Sequence, residues 1–156
     1  DLLLATDPDA DRMGLAICHE GEAFRLTGNQ IGCLCLYHIA SSLQEKGAFP
    51  PNAAFVKTIV TTELFKRIAE GFGGKCVDVL TGFKYIAEKI RLWENDIENP
   101  HYLFGAEESY GYLFGTFVRD KDAISSCCLI AEAAALAKEE GKTLVDRLYD
   151  LYRTYG

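Results

Sequence analysis

Phe55-Val-Lys-Thr-Ile-Val60, Lys75-Cys-Val-Asp-Val-Leu80 and His101-Tyr-Leu-Phe-Gly105 decide how this chain folds. Each run is short and reads as a strand, and the first, β-branched, is the candidate for the centre of a sheet. The segments between them read as helices. After the first run, Thr61 or Thr62 is placed to cap a helix whose apolar positions are Leu64, Phe65, Ile68, Ala69 and Phe72, and Gly71, Gly73 and Gly74 stop it. After the second, Thr81-Gly82 opens a helix with Phe83, Ile86, Ala87, Ile90 and Trp93 on one side, and Asn99-Pro100 turns the chain into the third run. This alternation belongs to an α/β fold, a layered α/β/α domain with a mixed, largely parallel sheet.

Upstream, Thr27-Gly28-Asn29 precedes a helix with Ile31, Leu34, Cys35, His38, Ile39 and Leu43 on its inner side, ended by Gly47 and followed by Pro50 and Pro51. His38 on that side reads as a satisfied core histidine rather than a ligand. Before it, Leu2–Ala5 reads as a buried strand, and Met13–Cys18 and Ala23–Leu26 as a hairpin turning at Glu20-Gly21. Downstream, Asp120 or Asp122 caps a long alanine-rich helix from about Ala123 to Glu140, apolar enough all round to be well buried. Gly141 stops it. Thr143 with Asp146 resembles a capping box for a last helix with Leu144, Val145, Leu148, Leu151 and Tyr152 inward.

The chemistry concentrates in Asp7-Pro-Asp-Ala-Asp-Arg12, between the first two strands. Three carboxylates alternate over five positions. In an extended segment they share a face, and in a tight turn they curl round one point. Such a cluster repels itself unless a cation sits within it, and a hard divalent ion with oxygen ligands, Mg2+, is the simplest answer. Arg12 can pair with a phosphate on that metal. An acidic surface turn is the bland alternative. A calcium-binding EF-hand requires Gly at its sixth place and Glu at its twelfth, where this chain has Arg12 and Cys18. A phosphatase-type loop, with Asp7 as nucleophile and Asp9 two residues on, fits as well.

In parallel sheets, ligand loops cluster beyond the carboxyl ends of the strands. Two stretches lie there: Thr81-Gly-Phe-Lys84, and Ala106-Glu-Glu-Ser-Tyr-Gly111. Paired carboxylates and a hydroxyl beside glycines suit a polyhydroxylated ligand, although a polar surface turn has the same composition. Lys121 is left over for a phosphate or a hydroxyl.

Bulk properties limit the partners. The 156 residues make one domain, or one domain plus a fragment; 49% are apolar, and 16 basic against 23 acidic side chains give a net charge of -7. No basic stripe argues for nucleic acid, and no apolar run is long enough to span a bilayer. No signal peptide is evident, and the chain starts without Met inside a strand pattern, as a piece of a longer cytoplasmic protein does. The six cysteines, Cys18, Cys33, Cys35, Cys76, Cys127 and Cys128, form no C-x-x-C pair and read as core thiols.

Taken together, these loops resemble those of the α-D-phosphohexomutases, the phosphoglucomutase and phosphomannomutase family. The resemblance rests on Asp7-Pro-Asp-Ala-Asp-Arg12, Leu26-Thr-Gly-Asn-Gln-Ile31, Lys57-Thr-Ile-Val-Thr-Thr62, Leu80-Thr-Gly-Phe-Lys84 and Gly105-Ala-Glu-Glu-Ser109, in that order across essentially the whole chain. The fourth and fifth look most like the phosphoglucomutase and phosphopentomutase branch. The resemblance implies a four-domain enzyme that moves a phosphoryl group between positions of a sugar phosphate through a phosphoserine and a bisphosphorylated sugar. It implies Mg2+ on Asp7, Asp9 and Asp11, and Arg12 beside the reacting phosphate. It also implies Glu107 and Ser109 on sugar hydroxyls, Thr81 and Gly82 in a loop that senses the sugar's orientation, and Lys121 facing the cleft.

By the same match, residues 1–26 are the end of domain two and residues 27–156 are domain three. The remaining domains of the parent enzyme and a sugar phosphate are the expected partners. No Thr-Ala-Ser-His-Asn-Pro-type segment and no Arg-x-Ser-Gly-Thr-Glu-type segment occurs in these residues, so the chain alone is expected to be inactive. Gly111 stands where the phosphomannomutase branch has His, which weakens a mannose assignment. A metal-dependent phosphatase and a non-catalytic interaction module are the alternatives, and residues 1–26 are the part that would pair with a neighbouring chain in a dimer.

Overall fold

A computed structural model describes residues 2–94 and 98–156. The chain runs β1 (Leu2–Thr6), β2 (Met13–His19), β3 (Glu22–Leu26), α1 (Gly28–Glu45), β4 (Ala53–Thr58), α2 (Glu63–Gly71), β5 (Lys75–Val79), α3 (Phe83–Trp93), β6 (His101–Ala106), β7 (Tyr112–Phe114), α4 (Ala123–Glu139) and α5 (Leu144–Tyr155). Two sheets form. The first is antiparallel, in the order β1-β2-β3; the second has the order β5-β4-β6-β7, with β4 parallel to both its neighbours and β7 antiparallel to β6.

The expected α/β layering follows from how β4 alternates. Phe55 joins Phe104, Ala106 and Tyr112 in a core shared with α1 and α2, whereas Val56 joins Val79, Tyr102 and Leu113 under Phe83, Ile86 and Ile90 of α3. All six β4 residues are buried, as a central strand covered on both faces must be. Helices α4 and α5 pack behind α1 and α2 and reach the first sheet.

Of the foreseen caps, Thr62, Asp122 and Thr143 serve, and Thr27, which the sequence shows only as preceding its helix, adds another. Thr27 forms a capping box with Gln30, Thr62 accepts from the Leu64 N–H, Asp122 accepts from Ile124 and Ser125, and Thr143 forms a capping box with Asp146. His38 is buried, with Nε2 3.2 Å from Glu132 Oε2.

Several expectations need correction. Strand β4 ends at Thr58, because Thr61 N–H closes a turn onto the Thr58 carbonyl, and this leaves Ile59 and Val60 exposed. Strand β7 was hidden inside a polar loop: three residues are too few to show alternation. Helix α4 buries one face only, with Ile124 and Leu136 exposed, because apolar side chains stand on its solvent side as well and blur the pattern. Strand β1 is half-open: it is an edge strand whose second face is uncovered, so Leu3 is 66% exposed. Cys33 and Cys35 are core thiols, but Cys18 and Cys128 are exposed and Cys76 and Cys127 half-buried.

Lys57 is the unusual residue of the second sheet. Its side chain is 0% exposed, and its ammonium donates to Glu63 Oε1 at 2.9 Å and to the Thr61 carbonyl at 3.0 Å and lies 3.0 Å from Asp78 Oδ1. Three donors meet three acceptors, so the charge is fully satisfied. Burial favours the neutral amine, but the bonds and charges of Glu63 and Asp78 outweigh it and hold the ammonium above its usual range. Its contribution to stability is therefore complete throughout the neutral range and fades only as pH rises past that of ordinary lysines. Replacing it by an isosteric apolar side chain, Lys57→Met, should cost about 2–3 kcal/mol, read as a lower urea midpoint at unchanged slope.

Candidate functional site

Strand β1 delivers Asp7 and strand β2 takes up Met13, so six residues must reverse the chain. They do so as a tight turn. Asp7 N–H donates to the Arg12 carbonyl at 3.2 Å, Ala10 N–H donates to the Asp7 carbonyl at 3.0 Å, and Ala10 has a φ of 56°. Asp7 Oδ1 accepts from the backbone N–H groups of Asp11 at 3.1 Å and Arg12 at 3.0 Å. These bonds, led by that of Arg12, hold the Asp7 carboxyl below its usual range. The turn brings one oxygen each of Asp7, Asp9 and Asp11 within 4.8 Å of one another. At that separation like charges repel one another, and a cation among them would relieve the repulsion. The donors are three hard carboxylates with no thiol or imidazole among them, which suits Mg2+ or Ca2+ and not a soft metal.

The second loop meets the first directly. Arg12 and Gly111 form an isolated antiparallel bridge, and Met13 N–H donates to the Tyr110 carbonyl at 3.2 Å. Glu107 N–H donates to the Gly111 carbonyl at 2.9 Å, closing residues 107–111 into a turn with Tyr110 at a φ of 70°. Helix α4 is tied to the same place, since Ala123 N–H donates to the Ala10 carbonyl at 3.0 Å. Lys121 Nζ thereby lies 2.9 Å from Asp11 Oδ2 and 2.8 Å from Asp120 Oδ1, and 5.4 Å from the centre of the Phe83 ring. Burial pulls against its charge, but Asp120 and Asp11 prevail and raise its affinity for the proton.

Glu107 faces this lysine. It is 5% exposed, and burial pushes its carboxyl above the usual range; the Lys121 charge and the Gly82 backbone N–H pull it back only in part. Gly82 has a φ of 122°, which a side chain rarely tolerates, and Thr81 lies exposed beside it. Ser109 and Arg12 line a groove over the open face of the first sheet, with Asp7, Tyr110 and Arg25. The structure thus gathers Asp7, Asp9, Asp11, Arg12, Lys121, Glu107 and Gly82 in one place, with Ser109 at its edge.

These motifs can now be set against known proteins. Residues 27–155 match the family model described as phosphoglucomutase/phosphomannomutase, alpha/beta/alpha domain III. The chain belongs to the phosphoglucomutase/phosphomannomutase family. A phosphoglucomutase of Staphylococcus aureus is 42% identical over the whole chain, which spans 27% of that protein's length. A Thermus thermophilus crystal structure described as a phosphomannomutase superposes with a TM-score of 0.72 at 27% identity, covering 96% of this chain and 30% of that one. An Aspergillus fumigatus N-acetylphosphoglucosamine mutase, solved with GlcNAc-6P and magnesium, shares the fold with a TM-score of 0.66 at 18% identity, covering 97% of this chain and 33% of that one.

Three residues around this place do more than their sequence patterns showed. Asp120, expected only as a helix cap, is a partner of Lys121. The Phe83 ring flanks the same ammonium. Gly111 supplies space, since a Cβ there would fall 2.4 Å from Lys121 Cδ and 3.1 Å from Glu107 Oε2. Only Gly111 carried a signal, as a glycine between two polar motifs. Glu107→Gln mimics the protonated carboxyl that burial favours. The variant should melt higher than the parent near neutral pH, and the difference should close as pH falls toward and below the ordinary glutamate range, because the folded parent then binds the proton more tightly than the unfolded chain does. Thermal melts of both proteins across that range test the sign.

Proposed function

We propose that this chain is the metal loop and sugar-recognition domain of a phosphosugar mutase that interconverts phosphate positions on a sugar phosphate of the glucose 1-phosphate and glucose 6-phosphate type. Residues 1–26 then close the neighbouring domain, and residues 27–156 form the third. The supporting observation is the contact between two loops about a hundred residues apart: the Arg12–Gly111 bridge, with Lys121 reaching Asp11 beside Glu107.

On this reading Asp7, Asp9 and Asp11 hold Mg2+, which when bound neutralises charge on the phosphoryl group. Phosphoryl transfer needs positioning and charge stabilisation more than covalent machinery. Arg12, half-exposed, offers a planar fork of donors to phosphate oxygens. Lys121 offers a second positive charge and, held protonated by Asp11 and Asp120, can donate a proton or a hydrogen bond to a sugar oxygen. Glu107 accepts from sugar hydroxyls and Ser109 donates or accepts, while Gly82 and Thr81 sense which way round the sugar lies. The phosphoserine and the clamp for the second phosphate come from other parts of the protein. The setting is a cytoplasmic one; among the described residues no helix is long and apolar enough to cross a membrane.

The test is glucose 1-phosphate turnover by the full-length protein that carries this sequence, with Mg2+ and a bisphosphorylated sugar as primer. Activity should vanish with chelator and fall by a factor of about a hundred or more in Asp9→Asn. The 156 residues alone should show no turnover and only weak Mg2+ binding. Hydrolysis of an aryl phosphate by those residues, abolished in Asp7→Asn, would replace this reading with the phosphatase.

A further inference from the structure

Glu108 is the acidic residue in the second loop that the proposed chemistry does not use, and its side chain is engaged elsewhere. Thr58 Oγ1 donates to Glu108 Oε2 at 3.0 Å. Thr58 has a single hydroxyl proton, so at its 2.8 Å contact with Thr61 Oγ1 it is the acceptor and Thr61 the donor. Both threonines are buried, Thr58 completely. Behind them, the Thr61 carbonyl is held by the Lys57 ammonium at 3.0 Å, and that ammonium is in turn fixed by Glu63 and Asp78. A continuous polar chain therefore runs from β5 through the end of β4 to the tip of the 107–111 loop.

The opposite side of the loop is held by shape. A Cβ on Gly28 would lie 2.0 Å from the Glu108 carbonyl oxygen and 2.9 Å from Tyr110 N, so the first turn of α1 presses on the loop backbone. Tyr112 Oη donates to the Gly28 carbonyl at 2.8 Å and holds that helix end in place. Glu108 is thus trapped between a hydroxyl and a helix, with Glu107 beside it turned to Gly82 and Lys121, and Ser109 beside it lining the groove with Arg12.

We infer that Thr58, backed by Thr61, is a positioning residue for sugar recognition: it anchors Glu108 and so sets where Glu107 and Ser109 meet the sugar hydroxyls. This rests on the assignment of Glu107 and Ser109 to the sugar. Recognition of a hydroxyl pair by two short side chains tolerates a shift of only a fraction of an ångström, so a loop released at Glu108 loses sugar affinity before it loses chemistry.

The experiment uses the full-length protein, with glucose 1-phosphate as substrate and inorganic phosphate as a competing probe. In Thr58→Val the KM should rise by about tenfold, with kcat within about threefold of the parent. Thr58→Ser, which keeps the donor, should restore KM. Inhibition by inorganic phosphate, which has no hydroxyl pair for the loop to read, should be unchanged. Glu108→Ala, at a half-exposed position, should reproduce the KM effect and carries the test if Thr58→Val does not fold. The double variant should be no worse than either single, because both remove the same anchor. An unchanged KM in Thr58→Val, or a double-variant loss equal to the product of the single losses, overturns the inference. If Glu107→Gln raises KM while Thr58→Val does not, the anchor alone is wrong; if neither moves it, the assignment of the loop to the sugar falls as well.

Discussion

Two sheets that share no strand are joined where Arg12 lies antiparallel to Gly111 and Met13 N–H reaches the Tyr110 carbonyl. This short contact is what the site depends on. The acidic turn follows the last residue of one sheet's edge strand, and the polar turn lies between two strands of the other. Neither could hold its geometry against the other through side chains alone, because those of Arg12 and Asp9 are exposed. The backbone hydrogen bond from Met13 to Tyr110 at the crossing, and a second from Ala123 to Ala10, bring three stretches of chain to one point. Each bond is modest, but none requires a long side chain to be frozen, so their cost in entropy is already met by the strands and the helix.

The charge balance at that point is one-sided. Asp7, Asp9, Asp11, Glu107, Glu108 and Asp120 face Arg12 and Lys121. Backbone N–H groups relieve Asp7, Lys121 spans Asp11 and Asp120, and Thr58 takes Glu108. Among the described residues Asp9 has no such partner, and it is the most exposed of the three carboxylates in the turn. On the proposed reading, a phosphate approaching these carboxylates would need a cation among them to offset the repulsion between like charges.

Much of this was legible in the residues. The strands β4, β5 and β6 are dense in β-branched and aromatic side chains, and the caps Thr27, Thr62, Asp122 and Thr143 stand where helix-period patterns begin. The acidic turn and the Glu107-Glu108-Ser109 loop were visible as clusters of one chemistry. What stayed hidden is what no local pattern encodes. Strand β7 is too short for a period, and the outer face of α4 carries Ile124 and Leu136, which make it resemble an inner one. The bridge between Arg12 and Gly111 joins positions 99 apart in numbering, and the contact of Lys121 with Asp11 joins positions 110 apart. The two glutamates looked equivalent in sequence, and only the fold separates the one held by Thr58 from the one facing Lys121.

That separation has a counterpart in two buried charged residues at one end of the second sheet. Lys57 and Glu107 are both nearly inaccessible and both lie at the carboxyl ends of neighbouring parallel strands. Lys57 has an acceptor for every proton, and its charge is favoured in place. Glu107 has one backbone donor and a shared lysine, and its charge is disfavoured. A group meant only to hold the fold would be driven by selection for stability toward the first condition, since an under-satisfied buried carboxylate weakens the folded state. A group meant to receive hydroxyls must keep acceptor capacity in reserve, and that reserve is what an incomplete set of partners provides. The contrast between a saturated cation and an unsaturated anion, one strand apart, separates scaffold from site on physical grounds.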